Sequence, residues 1–375
     1  MVLSALPMFS IAALAPFLVT DLGLARSAVG ALVTTSFVVA STASLVAGHL
    51  VDRLGARRGL AVLCVAIGVG LLAASLSGSI AALAVALAVT GIGQALANPA
   101  TNVLVTDTVP AARRGLAIGI KQAGVQIAAL GSGLLLPLVA EAAGWRWAMR
   151  STVLLAAVLL VVMWWAAPSA ASPGAGNPPL RWSLPRGWLA RLVGYSLLLG
   201  IGLSSVNTYL PLYAVQRLEF AAGTGGALLA AFGVTGLVAR VAWGRWADRL
   251  TELTVALVWL SAAAVVGVSL VLGAGLWFSG LVWAGAVVVG SSATAANAVS
   301  MLAVVRRGGA TGHASGLVSL GFFSGFVIGP TTFGLLSDTA GYHLAWLVVG
   351  AVFASSVLVA LWVRRAAAVR PVPTG

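Results

Sequence analysis

Gly48-His49-Leu50-Val51-Asp52-Arg53-Leu54 closes an apolar run near residues 28–50, and Gly244-Arg245-Trp246-Ala247-Asp248-Arg249-Leu250 closes another near 225–243, at an offset of 196. Two more landmarks recur at almost the same distance. Gly91 and Asn98 match Gly290 and Asn297 at an offset of 199, and Ala143-Gly144-Trp145 matches Ala340-Gly341-Tyr342 at 197. Three independent landmarks at nearly one spacing argue that a unit about half the length of this 375-residue chain has been duplicated.

The unit is a set of membrane spans. The chain is 60% hydrophobic and 8% charged, with a mean hydropathy of +1.06, against roughly 25% charged in soluble domains. A run of about 20 apolar residues crosses the ~30 Å hydrocarbon core as a helix. Twelve such runs are expected, near 2–19, 28–50, 60–77, 80–105, 116–138, 148–167, 188–210, 225–243, 254–272, 278–304, 316–336 and 346–363. The fold class is therefore an all-α membrane protein of twelve transmembrane helices in two six-helix bundles. An even number of spans per unit leaves both bundles in one orientation, as parallel repeats about an axis normal to the membrane. The bundles are expected over 1–167 and 188–363. A cytoplasmic linker over 168–187, rich in Pro and small residues, joins them, and a cytoplasmic tail follows over 364–375.

The net charge of +13 is no nucleic-acid signature, because the arginines lie in short loops rather than on one face. With the N-terminus cytoplasmic, sixteen of the 21 basic residues fall on the cytoplasmic side. Only Arg26, Arg146, Arg150 and Arg217 fall opposite, and Lys121 lies within a span. This positive-inside bias predicts a multi-pass protein of a bacterial inner (plasma) membrane with both termini cytoplasmic. The first run lacks a basic n-region and exceeds a signal peptide's apolar stretch, so it reads as an uncleaved helix. It is short at its start, which leaves open whether Met1 is the true beginning. The one cysteine, Cys64, reads as a small buried apolar residue, and no Cys/His cluster has zinc-like spacing.

Nine Asn and Gln occur in the chain, and seven sit inside apolar runs, confined to four of them. Gln94, Asn98 and Asn102 lie on the fourth run, Gln122 and Gln126 beside Lys121 on the fifth, Asn207 on the seventh and Asn297 on the tenth. The third, sixth, ninth and twelfth runs carry no interior amide or charge. Amides and a lone ammonium are costly in hydrocarbon unless they face protein or a wet path. The distribution therefore separates cavity-lining helices from lipid-facing ones, and a polar path through a membrane is what a transporter needs.

The run Gly48-x-Leu50-x-Asp52-Arg53-x-Gly55-x-Arg57-Arg58, between spans two and three, resembles the loop signature of the major facilitator superfamily. The second copy keeps Gly244, Asp248 and Arg249 but has Thr251 and Leu253 where the first has Gly55 and Arg57. Arg240 ahead of Gly244, and Gly325-x-x-x-Gly329-Pro330, also resemble family patterns. The resemblance covers essentially the whole chain. It implies a secondary transporter, not an enzyme, in which two six-helix halves rock about a central site while helices three, six, nine and twelve stay peripheral. It also implies a conformational latch at Gly48, Asp52, Arg53, Gly55, Arg57 and Arg58, with Arg240, Gly244, Asp248 and Arg249 as the second-half counterpart. The plainer reading of Asp52 and Arg53 is a solvated loop that only orients helices.

Candidate solute-binding residues are Lys121, Asn98, Gln94, Gln122, Gln126, Asn207, Tyr209 and Asn297. Gln94, Asn98 and Asn102 follow i, i+4, i+8 and form one stripe, with Asn98 about 13 Å from Asp107 at ~1.5 Å per residue. Lys121, the only lysine, lies about 10 Å beyond Arg114. It reads either as counter-charge to an anionic solute or as a side chain snorkelling to the interface. Tyr209 reads as a gate or solute contact near Pro211. Trp145, Trp147, Trp164, Trp165, Trp188 and Trp362 read as an interfacial belt. No Asp or Glu lies deep in a span, and Gly131-Ser132-Gly133 stands where the family's antiporters have a Gly-Pro pair, which argues against proton-driven cationic drug efflux.

The expected function is secondary active transport of a small polar or anionic organic solute across the plasma membrane by alternating access. The rivals are an exporter of hydrophobic compounds and a transporter-like solute sensor. The expected partners are the lipid bilayer and the solute, with a coupling ion left open. No cofactor and no nucleic acid are expected, and a monomer is.

Overall fold

A computed structural model describes residues 1–110, 114–166, 185–247, 252–308 and 312–368. Among them the chain forms twelve helices and no strand. The first half comprises α1 (Val2–Leu22), α2 (Arg26–Leu54), α3 (Ala56–Leu76), α4 (Ile80–Thr108), α5 (Arg114–Ala143) and α6 (Trp145–Ala166). The second comprises α7 (Trp188–Gln216), α8 (Ala222–Ala247), α9 (Leu253–Ala274), α10 (Leu281–Gly308), α11 (Gly312–Thr339) and α12 (Gly341–Ala368). All twelve are long and apolar enough to cross a bilayer. The expected linker lies outside the described residues except at its end, and most of the expected tail lies outside them too.

The stretch read as a loop between the second and third spans is almost entirely helix. Residues 48–54 are the last two turns of α2, Arg57 and Arg58 already belong to α3, and Gly55 alone joins the two. Its φ of 80° and ψ of 161° are a conformation that glycine adopts without the steric cost a Cβ would bring. Its N–H closes α2 on Val51 while its carbonyl starts α3 through Gly59. A Cβ at Gly48 would meet nothing within 4 Å, so no close helix approach depends on this glycine.

Helices α3, α6, α9 and α12 pack on helices of their own half, while the halves meet through α1 with α7, α2 with α11 and α5 with α8. The two large contacts are built by small residues. A Cβ at Gly226 of α8 would collide with the Gly133 carbonyl of α5, and one at Gly30 of α2 with the Pro330 carbonyl of α11. Without a hydrophobic force between helices in lipid, close backbone approach of this kind is what holds them together.

The α2–α11 contact is one-sided along the membrane normal, whereas the α5–α8 contact runs from Glu141 and Gly223 to Gln122 and Arg240. Arg26 to Phe37 of α2 lie against α11, from Ser337 and Asp338 down to Phe326 and Phe323. Beyond Phe37 the α2 surface turns outward, with Val38, Val46 and Leu50 exposed. We call the Arg26 end the sealed end and the end bearing Gly55 the basic end. Trp145 departs from the belt expected at span ends: it is 1% exposed and packed in the core, whereas Trp147, Trp164, Trp165 and Trp362 are exposed.

Steric exposure alone does not distinguish a lipid-facing position from one on a polar path. Val158 of α6 and Val266 of α9 are 50% and 56% exposed but on peripheral helices, whereas Asn102 and Asn297 are on α4 and α10. In a Cys64→Ser background in liposomes, Asn102→Cys and Asn297→Cys are expected to react with small charged thiol reagents. Val158→Cys and Val266→Cys should react only with lipophilic ones. Equal labelling by the charged reagent would show that α6 and α9 do not face lipid.

Candidate solute site

The polar stripe of α4 faces the lysine of α5. Lys121 Nζ donates to Asn98 Oδ1 at 3.2 Å and to Asn102 Oδ1 at 2.5 Å. Successive turns of one helix thus present two amide oxygens to the amine, so the ammonium is held beside α4. Both acceptors are neutral, and no ion pair to Lys121 is found among the described residues. The side chain stays half-buried, with a third N–H to spare. An ammonium so held is electrically uncompensated, which suits it to an anion.

The other side of α5 carries Gln122 and Gln126. Arg240 Nη1 of α8 donates to the Gln122 carbonyl at 3.0 Å, and its Nε finds no partner within the protein. Arg240, expected in the second-half counterpart of the latch, lies at the contact of the two halves, beside Gln122, which follows Lys121 on α5. Gln126 is buried against α8, where Gly236 leaves it room. A Cβ at Gly236 would meet Gln126 Oε1 at 2.9 Å and Thr294 Oγ1 at 3.0 Å.

On the second half, Asn207 of α7 is only 4% exposed and its Oδ1 has no partner. Asn297 of α10 leaves its Oδ1 unpaired too. With Gln94 Nε2 and Gln126 Oε1, four amides on α4, α5, α7 and α10, two from each half, each hold a buried polar atom unpaired within the protein. Each such atom costs about 1–3 kcal/mol. A hydrogen-bonding solute can satisfy them, since amides both donate and accept. Among the described residues no group of three His, Cys, Asp or Glu converges to hold a metal.

Tyr209 does not join this set. Its hydroxyl donates to the Arg26 carbonyl at 2.7 Å and its ring stacks on Phe333 at 4.5 Å, so it belongs to the sealed end. Arg26 is the hub there. Its Nε donates to Gln216 Oε1 at 2.9 Å, its Nη1 to the Ser337 carbonyl at 2.6 Å, and its guanidinium lies 4.5 Å over the Tyr342 ring. Sequence reasoning missed Arg26 and Gln216 because each looks like an ordinary charge or amide at a helix end.

Of the latch residues, Arg53 and Arg58 are exposed, and Arg57 stacks on Trp164 of α6 at 4.3 Å. The side chain of Asp52, the surroundings of Gly244, and Asp248 and Arg249 lie outside the described residues.

Comparison with known proteins follows from this geometry. The structure superposes on that of a D-xylose-proton symporter with a TM-score of 0.77 at 16% identity, covering 96% of this chain and 94% of that one. It superposes on a bacterial homologue of the human lysosomal transporter Spinster, in an inward-facing and occupied conformation, with a TM-score of 0.76 at 13% identity, covering 100% and 96%. Such identities establish the fold alone. In sequence, the probable sulfoacetate transporter SauU of Cupriavidus necator is 34% identical over 143 residues, 37% of this chain. The chain matches only 32% of that relative's length. A sequence profile of the Major Facilitator Superfamily matches residues 1–318. With a match over well more than half its length, the chain belongs to the Major Facilitator Superfamily.

Proposed function

We propose that this chain carries a small organic anion across a bacterial plasma membrane by alternating access, with both termini in the cytoplasm. The observation that carries the reading is Lys121, an ammonium inside a membrane span held by two neutral amide oxygens and by no carboxylate found among the described residues. Arg240 adds a second cation from the other half, and the four unpaired amides add hydrogen-bonding capacity on α4, α5, α7 and α10. Sulfoacetate, named for the relative SauU, bears a sulfonate and a carboxylate, and two cations on opposite halves suit a solute of that kind.

The positive-inside bias supports a cytoplasmic basic end and a sealed end facing outside. The conformation described is then closed outward and parted inward. Closing the basic end would bring α4 and α10 together around the solute and let the sealed end open. An anion moving inward works against a negative-inside potential, about 2.3 kcal/mol per charge per 100 mV. Import would therefore need a coupling ion or counter-solute, while export would not.

Uptake of sulfoacetate and related small anions into proteoliposomes tests the reading. Lys121→Gln should weaken their apparent affinity several-fold to a hundredfold, on the order of 1–3 kcal/mol for a charge-assisted hydrogen bond. Lys121→Arg should keep part of it, because charge survives while geometry changes. Wild-type affinity in Lys121→Gln would remove the case for an anion. Transport of lipophilic dyes without response to anions would favour the hydrophobic-compound exporter.

The orphaned amides generate a second expectation. In Asn207→Leu a buried unpaired oxygen gives way to a side chain of similar size, so thermal stability in detergent should hold or rise, by up to about 2 kcal/mol. Stabilisation by added solute should fall at the same time. A marked drop in melting temperature with solute binding intact would make Asn207 structural.

A further inference from the structure

The sealed end contains one fastening used twice. Asp338, the last residue but one of α11, accepts hydrogen bonds from the backbone N–H of Arg26 at 3.1 Å and of Ser27 at 2.9 Å. These are the first two residues of α2, in the other half of the molecule, and the preceding residue, Ala25, offers no side-chain cap of its own. Glu141, near the end of α5, accepts from the backbone N–H of Gly223, the second residue of α8, at 3.1 Å. Again a carboxylate at the end of one half meets the start of a helix in the other.

The two are equivalent by the internal repeat. Glu141 and Asp338 stand 197 positions apart, the same offset that relates Gly144 to Gly341, and α2 and α8 are corresponding helices. The repeat would give this relation to any matched pair, but here both members reach across the boundary between the halves. The first N–H groups of a helix have no partner within it and carry the positive end of its dipole, so a carboxylate there is held by hydrogen bonds and by charge together. Both fastenings exist only while this end is shut, because each donor and acceptor sit on opposite halves.

We propose that Asp338 and Glu141 form a paired, pseudosymmetric latch that sets the population of the state closed at this end, whatever solute is carried. Asp338 contributes two N–H contacts and lies beside the Arg26 hub, whereas Glu141 contributes one. Asp338 is therefore the stronger member. Losing either leaves the other in place, and losing both removes the fastening from both sides of the seal.

The test uses the full chain in liposomes, in a Cys64→Ser background, with spin labels at Gly78→Cys and Leu276→Cys. These positions are in the α3–α4 and α9–α10 connections at the same end, one on each half, away from the latch. Pulsed dipolar spectroscopy reads the fraction of molecules with the lengthened distance. Asp338→Ala should raise that fraction about fivefold, the size expected for a lost helix cap, Glu141→Ala somewhat less, and the double variant by about the product. Asp338→Asn and Glu141→Gln keep the shape and should give smaller rises, which guards against a variant that fails to fold. Asp21→Asn, which removes a carboxylate at the same end, should leave the distribution unchanged. A distribution like wild type in both alanine variants, or an equal shift in Asp21→Asn, would overturn the latch.

Discussion

Backbone lies against backbone at Gly133 and Gly226, and again at Gly30 and Pro330, and the rest of the molecule follows from these contacts. Lipid tails are as apolar as leucine, so two bundles in a membrane gain nothing from merely hiding apolar surface from each other. They gain when small residues let dispersion and weak backbone contacts act at short range. The α2–α11 contact lies toward one end, so that end closes tightly, while the α5–α8 contact continues past the middle of both helices. The same approach of α5 and α8 seats Gln126 beside Gly236 and brings Arg240 to the Gln122 carbonyl. A larger side chain at Gly133 or Gly226 would disturb the seal and the polar site at once.

The site itself is built against stability. Unpaired buried oxygens on Gln126, Asn207 and Asn297, an unpaired Nε on Arg240 and an uncompensated ammonium on Lys121 are each unfavourable in the unliganded protein. The surrounding apolar packing absorbs that cost. The sealed end shows the opposite pattern, with Nε and Nη1 of Arg26 and both oxygens of Asp338 paired. One end stores unsatisfied bonding capacity and the other spends it on closure.

Hydropathy and the internal repeat made the twelve helices and their grouping legible, because membrane spans must be long, apolar and self-satisfied in their hydrogen bonds. The amides marked α4, α5, α7 and α10 because uncharged polar groups are conspicuous in such surroundings. What stayed hidden depends on pairings far apart in the chain. Arg26 meets Ser337, Asp338 and Gln216 across hundreds of residues, and nothing local sets those side chains apart from solvated neighbours at other helix ends. The repeat did hold a usable signal, since Glu141 and Asp338 recur at 197 positions among few acidic residues. The segment around Gly55 was misread as a loop because its charges and glycines look like one, whereas a single glycine with positive φ suffices to join two continuous helices. Trp145 was misread for a related reason: position at a span end does not say which way a side chain points, and this one points into the core.

A protein layer packed this closely is also an electrical insulator. From Arg26 to Phe37 it spans eleven residues of α2, about 16 Å at 1.5 Å per residue, roughly half the ~30 Å of hydrocarbon around it. If solution reaches this layer from the basic end, the membrane voltage falls mainly across it. Over half the thickness the same voltage makes a field about twice that in the lipid. Lys121, about 10 Å from Arg114 along α5, would then lie beyond it on the side of the basic end. A charge bound there would then have crossed little of the voltage, and the electrical work would fall to the movement of the seal.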